Sequence, residues 1–120
     1  AMLALAAALD GDEAALLAWL DSDGRVNATC GEGEMSGVTV LMLAAGNGHE
    51  RVVELLLQRG AEINLQSSDG GTALMVAATT GHKQVVNLLL RHGAEINKQN
   101  SSGDTALIGA AWEGHERVVE

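Results

Sequence analysis

The 120 residues include no phenylalanine, no tyrosine and no proline, and only two tryptophans, although 47% of them are hydrophobic. Aromatic rings normally supply much of the bulk of a globular core. Without them Ala, Leu and Val must do the filling, which requires regular, closely spaced elements with small gaps. Thin layers of helices meet that requirement, and the length suits one domain with a core of its own. A single cysteine, Cys30, excludes an internal disulfide and fits a reducing, intracellular compartment, cytoplasmic or nuclear. Seven Lys and Arg stand against sixteen Asp and Glu, a formal net charge of −9. Phosphate binding rests on Lys and Arg, and no segregated basic patch is visible, so neither nucleic acid nor an anionic membrane is expected as a partner. The first nine residues are apolar but lack a basic leader, and Asp10 interrupts them. They are too short to span a bilayer and do not read as a secretory signal. The sequons at Asn27 and Asn100 carry no meaning in an intracellular chain.

What the chain does have is a period. Gly48-His49, Gly81-His82 and Gly114-His115 recur every 33 residues, as do Thr39, Thr72 and Thr105 and the pairs Val52-Val53, Val85-Val86 and Val118-Val119. Laying residues 38–70 on 71–103 gives 20 identities in 33 positions, which marks an array of internal repeats. Leu41, Ala44 and Ala45 have the spacing of one helical face, and Val52, Val53, Leu55, Leu56 and Leu57 form a second. Gly48 separates the two helices. Gly60 and Gly93 stand where a helix C-terminus needs a residue free to turn left-handed. The polar stretches 61–71 and 94–103 suit hairpin-like loops. One such unit cannot bury its own apolar faces, so stability must come from neighbours.

Residues 37–64, GVTVLMLAAGNGHERVVELLLQRGAEIN, and 70–97, GGTALMVAATTGHKQVVNLLLRHGAEIN, resemble the ankyrin repeat, and the resemblance extends over nearly the whole chain. It implies an all-α solenoid of helix-turn-helix units with β-hairpin loops. The units span approximately residues 2–29, 34–66, 67–99 and 100–120: a degenerate N-terminal repeat, two full repeats and a truncated fourth. Met2–Asn27 fits the degenerate unit, with Asp10-Gly11-Asp12 in place of Asn47-Gly48-His49 and Trp19 in place of Leu56. Asn27 and Thr39 are 12 residues apart where Asn64 and Thr72 are 8 apart, so the first connecting loop, around Cys30–Ser36, carries four extra residues and is expected to have a mobile tip. Where the family has Thr-Pro-Leu-His, this chain has Thr39-Val-Leu-Met42, Thr72-Ala-Leu-Met75 and Thr105-Ala-Leu-Ile108. The missing proline and the missing histidine predict looser helix starts. The chain stops at Glu120, inside the last unit's second helix, and open apolar surface at that end predicts a longer array or self-association there.

Chemistry is hard to place on this frame. A metal needs ligands within about 2.1 Å, whereas equivalent atoms of stacked helices lie roughly 8–10 Å apart, so His49, His82 and His115 form a line rather than a cage. Glu32 and Glu34 flank Cys30, the wrong charge for a reactive thiol, and GEGEMSG lacks the basic residue of a phosphate loop. No carboxylate dyad or Ser-His arrangement stands out. The expectation is a non-enzymatic chain without cofactor or metal.

The family resemblance implies binding of a partner protein along a concave face of loop tips and first-helix ends, where the units differ from one another. Matched by position, these are Met35, Ser36, Val38, Gly46 and Asn47 in the second unit, and Ser68, Asp69, Gly71, Thr79 and Thr80 in the third. Ser101, Ser102, Asp104, Trp112 and Glu113 follow in the fourth, Gln66 and Gln99 adjoin them, and Leu9 and Asp10 are the first unit's equivalents. Trp112 stands out, because Trp is enriched among binding hot spots. Four acids and no Lys or Arg fall on these positions, which predicts a partner with polar or basic segments. The competing reading is a purely structural stretch of a longer array. The resemblance also implies Asn64 and Asn97 as candidate hydroxylation sites, alongside the plainer role of bonding loop backbone.

Overall fold

The computed structural model describes residues 10–22, 26–30, 37–112 and 114, leaving aside the side chains of Ser22, Cys30 and Trp112. Helix α1 (Glu13–Ser22) is followed by strands β1 (Thr29–Cys30) and β2 (Val38–Thr39) and then by α2 (Val40–Gly46) and α3 (Glu50–Gln58). Helices α4 (Ala73–Thr79), α5 (Lys83–Arg91) and α6 (Ala106–Trp112) complete the order. The strands pair antiparallel, Thr29 opposite Thr39 and Cys30 opposite Val38. The loop between them, with Met35, Ser36, Glu32 and Glu34, lies outside the described residues, as do Leu9, Glu113 and the segment 115–120.

The first helices stack as one layer, α2 on α4 and α4 on α6, and the second helices as another, α1 on α3 and α3 on α5. Between the layers runs one continuous core. Val52, Val53 and Leu56 of α3 and Leu89 of α5 are fully enclosed, Val85 of α5 nearly so, and Leu41, Ala44, Ala45, Leu74, Ala77 and Ala78 meet them from the first helices. Each fully buried Val or Leu contributes about 1.5–3 kcal/mol, and alanines let the layers approach closely enough for that burial without aromatics. In α1, Leu16 is buried where α3 has Val53, and Trp19 packs on the core from the position of Leu56.

The glycines end helices as their positions suggest. Gly60 turns left-handed with φ 87°, its N–H reaching Leu57 O (3.1 Å) while Ala61 N–H donates to Leu56 O (3.0 Å). Gly93 repeats the pattern with Leu90 and Leu89. Both form the paired closing bonds that satisfy a helix's last carbonyls.

The helix starts are firmer than the missing Pro and His predict. Thr39 Oγ1 accepts the Met42 N–H at 3.1 Å, and Thr72 Oγ1 accepts that of Met75 at 3.2 Å. Both threonines are buried. Met42 also takes a reciprocal role, its Sδ accepting the Thr39 N–H at 3.4 Å, so a thioether fills the place of a capping-box acceptor. Thr105 holds Ile108 N–H only at 3.4 Å, and there the start is loose.

Candidate interaction surface

The loops that precede the first helices are built from short internal bonds. In residues 66–71, Ser67 N–H donates to Gly71 O and Gly70 N–H to Ser67 O, each at 2.9 Å. Asp69 accepts the Gly71 N–H at 3.1 Å and a short bond from the Ser67 hydroxyl. That hydroxyl first, and the Gly71 N–H second, hold the Asp69 carboxyl below its ordinary pKa, because both stabilise the anion. In residues 99–104 an asparagine does the same work: Asn100 Oδ1 accepts the N–H groups of Ser102 (2.9 Å) and Asp104 (3.0 Å).

The two loops lie against each other. Ser101 N–H donates to Asp69 O at 2.7 Å, and Gln66 Nε2 bridges its own loop at Gly70 O (2.9 Å) to Gln99 O (3.1 Å). The structure therefore gathers Gln66, Asp69, Gln99 and Ser101 into one bonded row, with the exposed Ser68 and Ser102 beside them and Asp104 half-buried behind. Gly71 is half-buried where it closes the loop onto α4, and Val38 is half-buried in β2.

At the other end of the first helices, Asn47 and Thr80 are exposed, and each turns back on its own helix. Asn47 Nδ2 donates to Leu43 O at 2.8 Å and Thr80 Oγ1 to Val76 O at 2.7 Å. Gly46 and Thr79 sit in the seam between neighbouring first helices. A Cβ on Gly46 would stand 2.5 Å from Val76 Cγ1, and one on Gly109 would stand 2.6 Å from Thr79 Oγ1. Part of the variation at these two positions is thus packing: a larger side chain in one unit meets a glycine in its neighbour. Comparing like positions with like overlooks this, because each pairing crosses columns at a spacing of 30 residues, 46 with 76 and 79 with 109. Trp112 ends α6, and Met35, Ser36 and Glu113 lie outside the described residues. Asp10 is exposed.

Asn64 has a defined task. Its Oδ1 accepts the Glu95 N–H of the following unit at 2.8 Å, as Asn27 Oδ1 accepts that of Glu62 at 2.8 Å. Asn97 is exposed.

The His49 ring lies on Gly11 and the His82 ring on Gly48, and His115 lies outside the described residues. Among the described residues no group of His, Cys, Asp and Glu could hold a metal ion. On the second-helix side Arg59 pairs with Asp21 at 2.8 Å and Arg51 reaches Glu13 at 3.9 Å. Such exposed pairs are worth about 0–1 kcal/mol. A shallow cleft of about 320 Å³ lies beside Glu13, His49 and Arg51. Among the described residues no helix is long and apolar enough to cross a membrane.

A family model described as ankyrin repeats in three copies matches residues 3–100 and 41–120. The chain is also similar to the human transient receptor potential cation channel subfamily A member 1, 60% identical over 30 residues, a quarter of this chain and 3% of that protein. It thus spans only a small fraction of that relative's length.

Proposed function

The chain belongs to the ankyrin-repeat family, and on that premise we propose that it binds a partner protein through its loop tips and the ends of its first helices. Ankyrin repeats are generally protein-interaction modules and generally non-enzymatic. We read the array as a degenerate unit at 2–29, full units at 34–66 and 67–99, and a fourth from residue 100, working in an intracellular compartment.

One observation carries the reading. The bonded row of Gln66, Asp69, Gln99 and Ser101 holds the exposed Ser68 and Ser102 in place without a partner's help, and preorganised polar groups lose little entropy on binding. The recognition positions are Met35, Ser36, Val38, Asn47, Gln66, Ser68, Asp69, Thr79, Thr80, Gln99, Ser101, Ser102, Asp104, Trp112 and Glu113. They include acids and no Lys or Arg, so the partner segment is polar or basic and its association is slowed by salt. An array of soluble peptides graded in Lys and Arg content tests this at low and high salt. Basic and polar peptides should bind best, and Trp112→Ala should weaken them about tenfold or more. Binding that ignores peptide charge and survives Trp112→Ala and Asp69→Ala would sink the reading.

A structural reading competes, favoured by the commitment of Gln66, Asp69, Asn47 and Thr80 to bonds within the stack. It is preferred if alanine at these positions lowers stability while no peptide binds.

A further inference from the structure

Asn47 is followed by Gly48, and no other asparagine of the chain precedes a glycine. An Asn-Gly pair is chemically labile, because the glycine has no side chain to keep its backbone nitrogen from attacking the asparagine Cγ. In that step the nitrogen loses its proton, the N–Cγ bond forms and ammonia leaves, giving a cyclic succinimide. Solvent water then opens the ring at either carbonyl. The products are aspartate and, for the larger part, isoaspartate, in which the main chain runs through Cβ and Cγ.

The fold holds this pair in a form that cannot react. The Asn47 ψ is 3°, so the Gly48 nitrogen eclipses the Asn47 backbone nitrogen. It lies a third of a turn about the Cα–C bond from Cβ, beside which ring closure must bring it. Asn47 Nδ2 is engaged with Leu43 O at 2.8 Å. The Gly48 N–H donates to Ala45 O at 3.2 Å and that of His49 to Ala44 O at 3.1 Å, the paired bonds that close α2 around a left-handed glycine. Gly48 has φ 73° and the His82 ring lies on it. Asn47 itself is exposed, so water reaches it once the turn opens. The turn does not need an asparagine. Thr80 takes the same position in the next unit and bonds back to Val76 O at 2.7 Å, with Gly81 at φ 80°. Asp10 takes it in the first unit, with Gly11 at φ 71°.

We propose that Asn47 is a deamidation site guarded by the end of α2, and that its isoaspartyl product keeps the turn from closing again. The aspartyl product is benign, because Asp10 occupies the same place before a glycine of the same conformation. The isoaspartyl product is not. It adds one atom to the main chain between residue 47 and Gly48, which carries Gly48 away from Ala45 O and from its seat against the His82 ring. Each opening of the turn thus exposes the pair to irreversible chemistry, and the converted fraction records how often the end of α2 has opened. The chemistry does not rest on the partner reading above, although Asn47 belongs to both.

The test is to incubate the 120-residue chain in mildly alkaline buffer, folded and in urea, and to map its peptides by mass spectrometry. In urea Asn47 should convert faster than every other asparagine. The folded chain should convert at the same residue at least about tenfold more slowly, since reaction then waits for local opening. His82→Ala uncovers Gly48 and leaves the Asn-Gly pair alone. It should speed conversion of the folded chain about threefold or more and leave the rate in urea unchanged. The purified isoaspartyl chain should exchange the amides of 43–49 with deuterium at least about tenfold faster than Asn47→Asp, which should behave like the parent chain. Equal conversion folded and in urea, or another asparagine leading in urea, would overturn the proposal. So would a folded rate indifferent to His82→Ala, no conversion in either folded chain, or an isoaspartyl chain that exchanges like Asn47→Asp.

Discussion

Val76 occupies the space that a side chain on Gly46 would need, its Cγ1 2.5 Å from the point a Cβ there would take. The glycine is therefore a socket, and the valine of the next unit fills it. Gly46→Val forces two branched side chains into one space and should lower stability by about 1–3 kcal/mol, the usual cost of overpacking. Val76→Gly in the same chain should recover part of that loss, less the propensity cost of a second glycine in a helix. Urea unfolding of the two single variants and the double variant measures the coupling. Additive effects would mean that the seam relaxes without cost.

Gly48 meets two demands at once. Its φ is 73°, and a Cβ would stand 2.6 Å from His82 Nδ1. Gly60 meets only the first, with φ 87° and nothing within 4 Å. Left-handed backbone costs a non-glycine residue about 1–2 kcal/mol, so Gly60→Ala should lose about that much and Gly48→Ala more. His82→Ala should remove the excess at Gly48 and change nothing at Gly60. Equal losses in the two alanine variants, measured by chemical denaturation, would show that the ring swings aside freely.

Much of the fold was legible because a period constrains every residue in it together. The recurrence of Val52-Val53 at Val85-Val86 named the core, and Gly60 and Gly93 named the helix ends. The seam was not legible, because a contact between Gly46 and Val76 joins unlike positions of successive units, whereas the eye compares like with like. Nor was the sulfur of Met42 as a capping acceptor, since a thioether accepts weakly and its residue type argues only for burial. At the candidate surface the sequence marked which positions vary. Only coordinates separate the side chains tied within the stack, such as Gln66 and Asn47, from those that stand clear.

The loop at Asp69 should weaken in acid. Its carboxyl is held below the ordinary carboxylate pKa by the Ser67 hydroxyl and then by the Gly71 N–H. A depressed folded-state pKa contributes stability that is present above the unfolded value and is lost as pH falls through the folded one. The side chain is exposed, so the contribution is on the order of a few tenths of a kcal/mol after solvent screening. Asp69→Asn should therefore cost a little at neutral pH and flatten the acid limb of the stability curve below the usual carboxylate range. Asp69→Ala, which removes the acceptor altogether, should also speed hydrogen exchange at Gly71, whose N–H the carboxylate accepts. Exchange at Gly71 that is the same in Asp69→Ala as in the parent chain would show the bond to be idle.

Asn64 tests whether the loops are coupled between units. Its Oδ1 accepts the Glu95 N–H at 2.8 Å, linking residues 31 apart across two units. Asn64→Ala leaves that N–H without its acceptor and should cost about 0.5–1.5 kcal/mol, toward the lower end if water replaces the carboxamide at this partly exposed site. Asn64→Asp keeps an acceptor in place and should retain the bond at neutral pH, so comparing the two separates lost bonding from lost packing. Hydroxylation of the asparagine side chain, the modification the family resemblance implies for Asn64 and Asn97, leaves the Oδ1 acceptor in place. A modified chain should therefore be at least as stable as an unmodified one, and Asn64 should need its loop to open before an enzyme reaches it, whereas exposed Asn97 should not. Mass spectrometry of the protein from animal cells should then find Asn97 modified to a greater extent than Asn64. Greater modification at Asn64, or neither site modified, would remove this account of the two asparagines and leave the inter-unit bond as the task of Asn64.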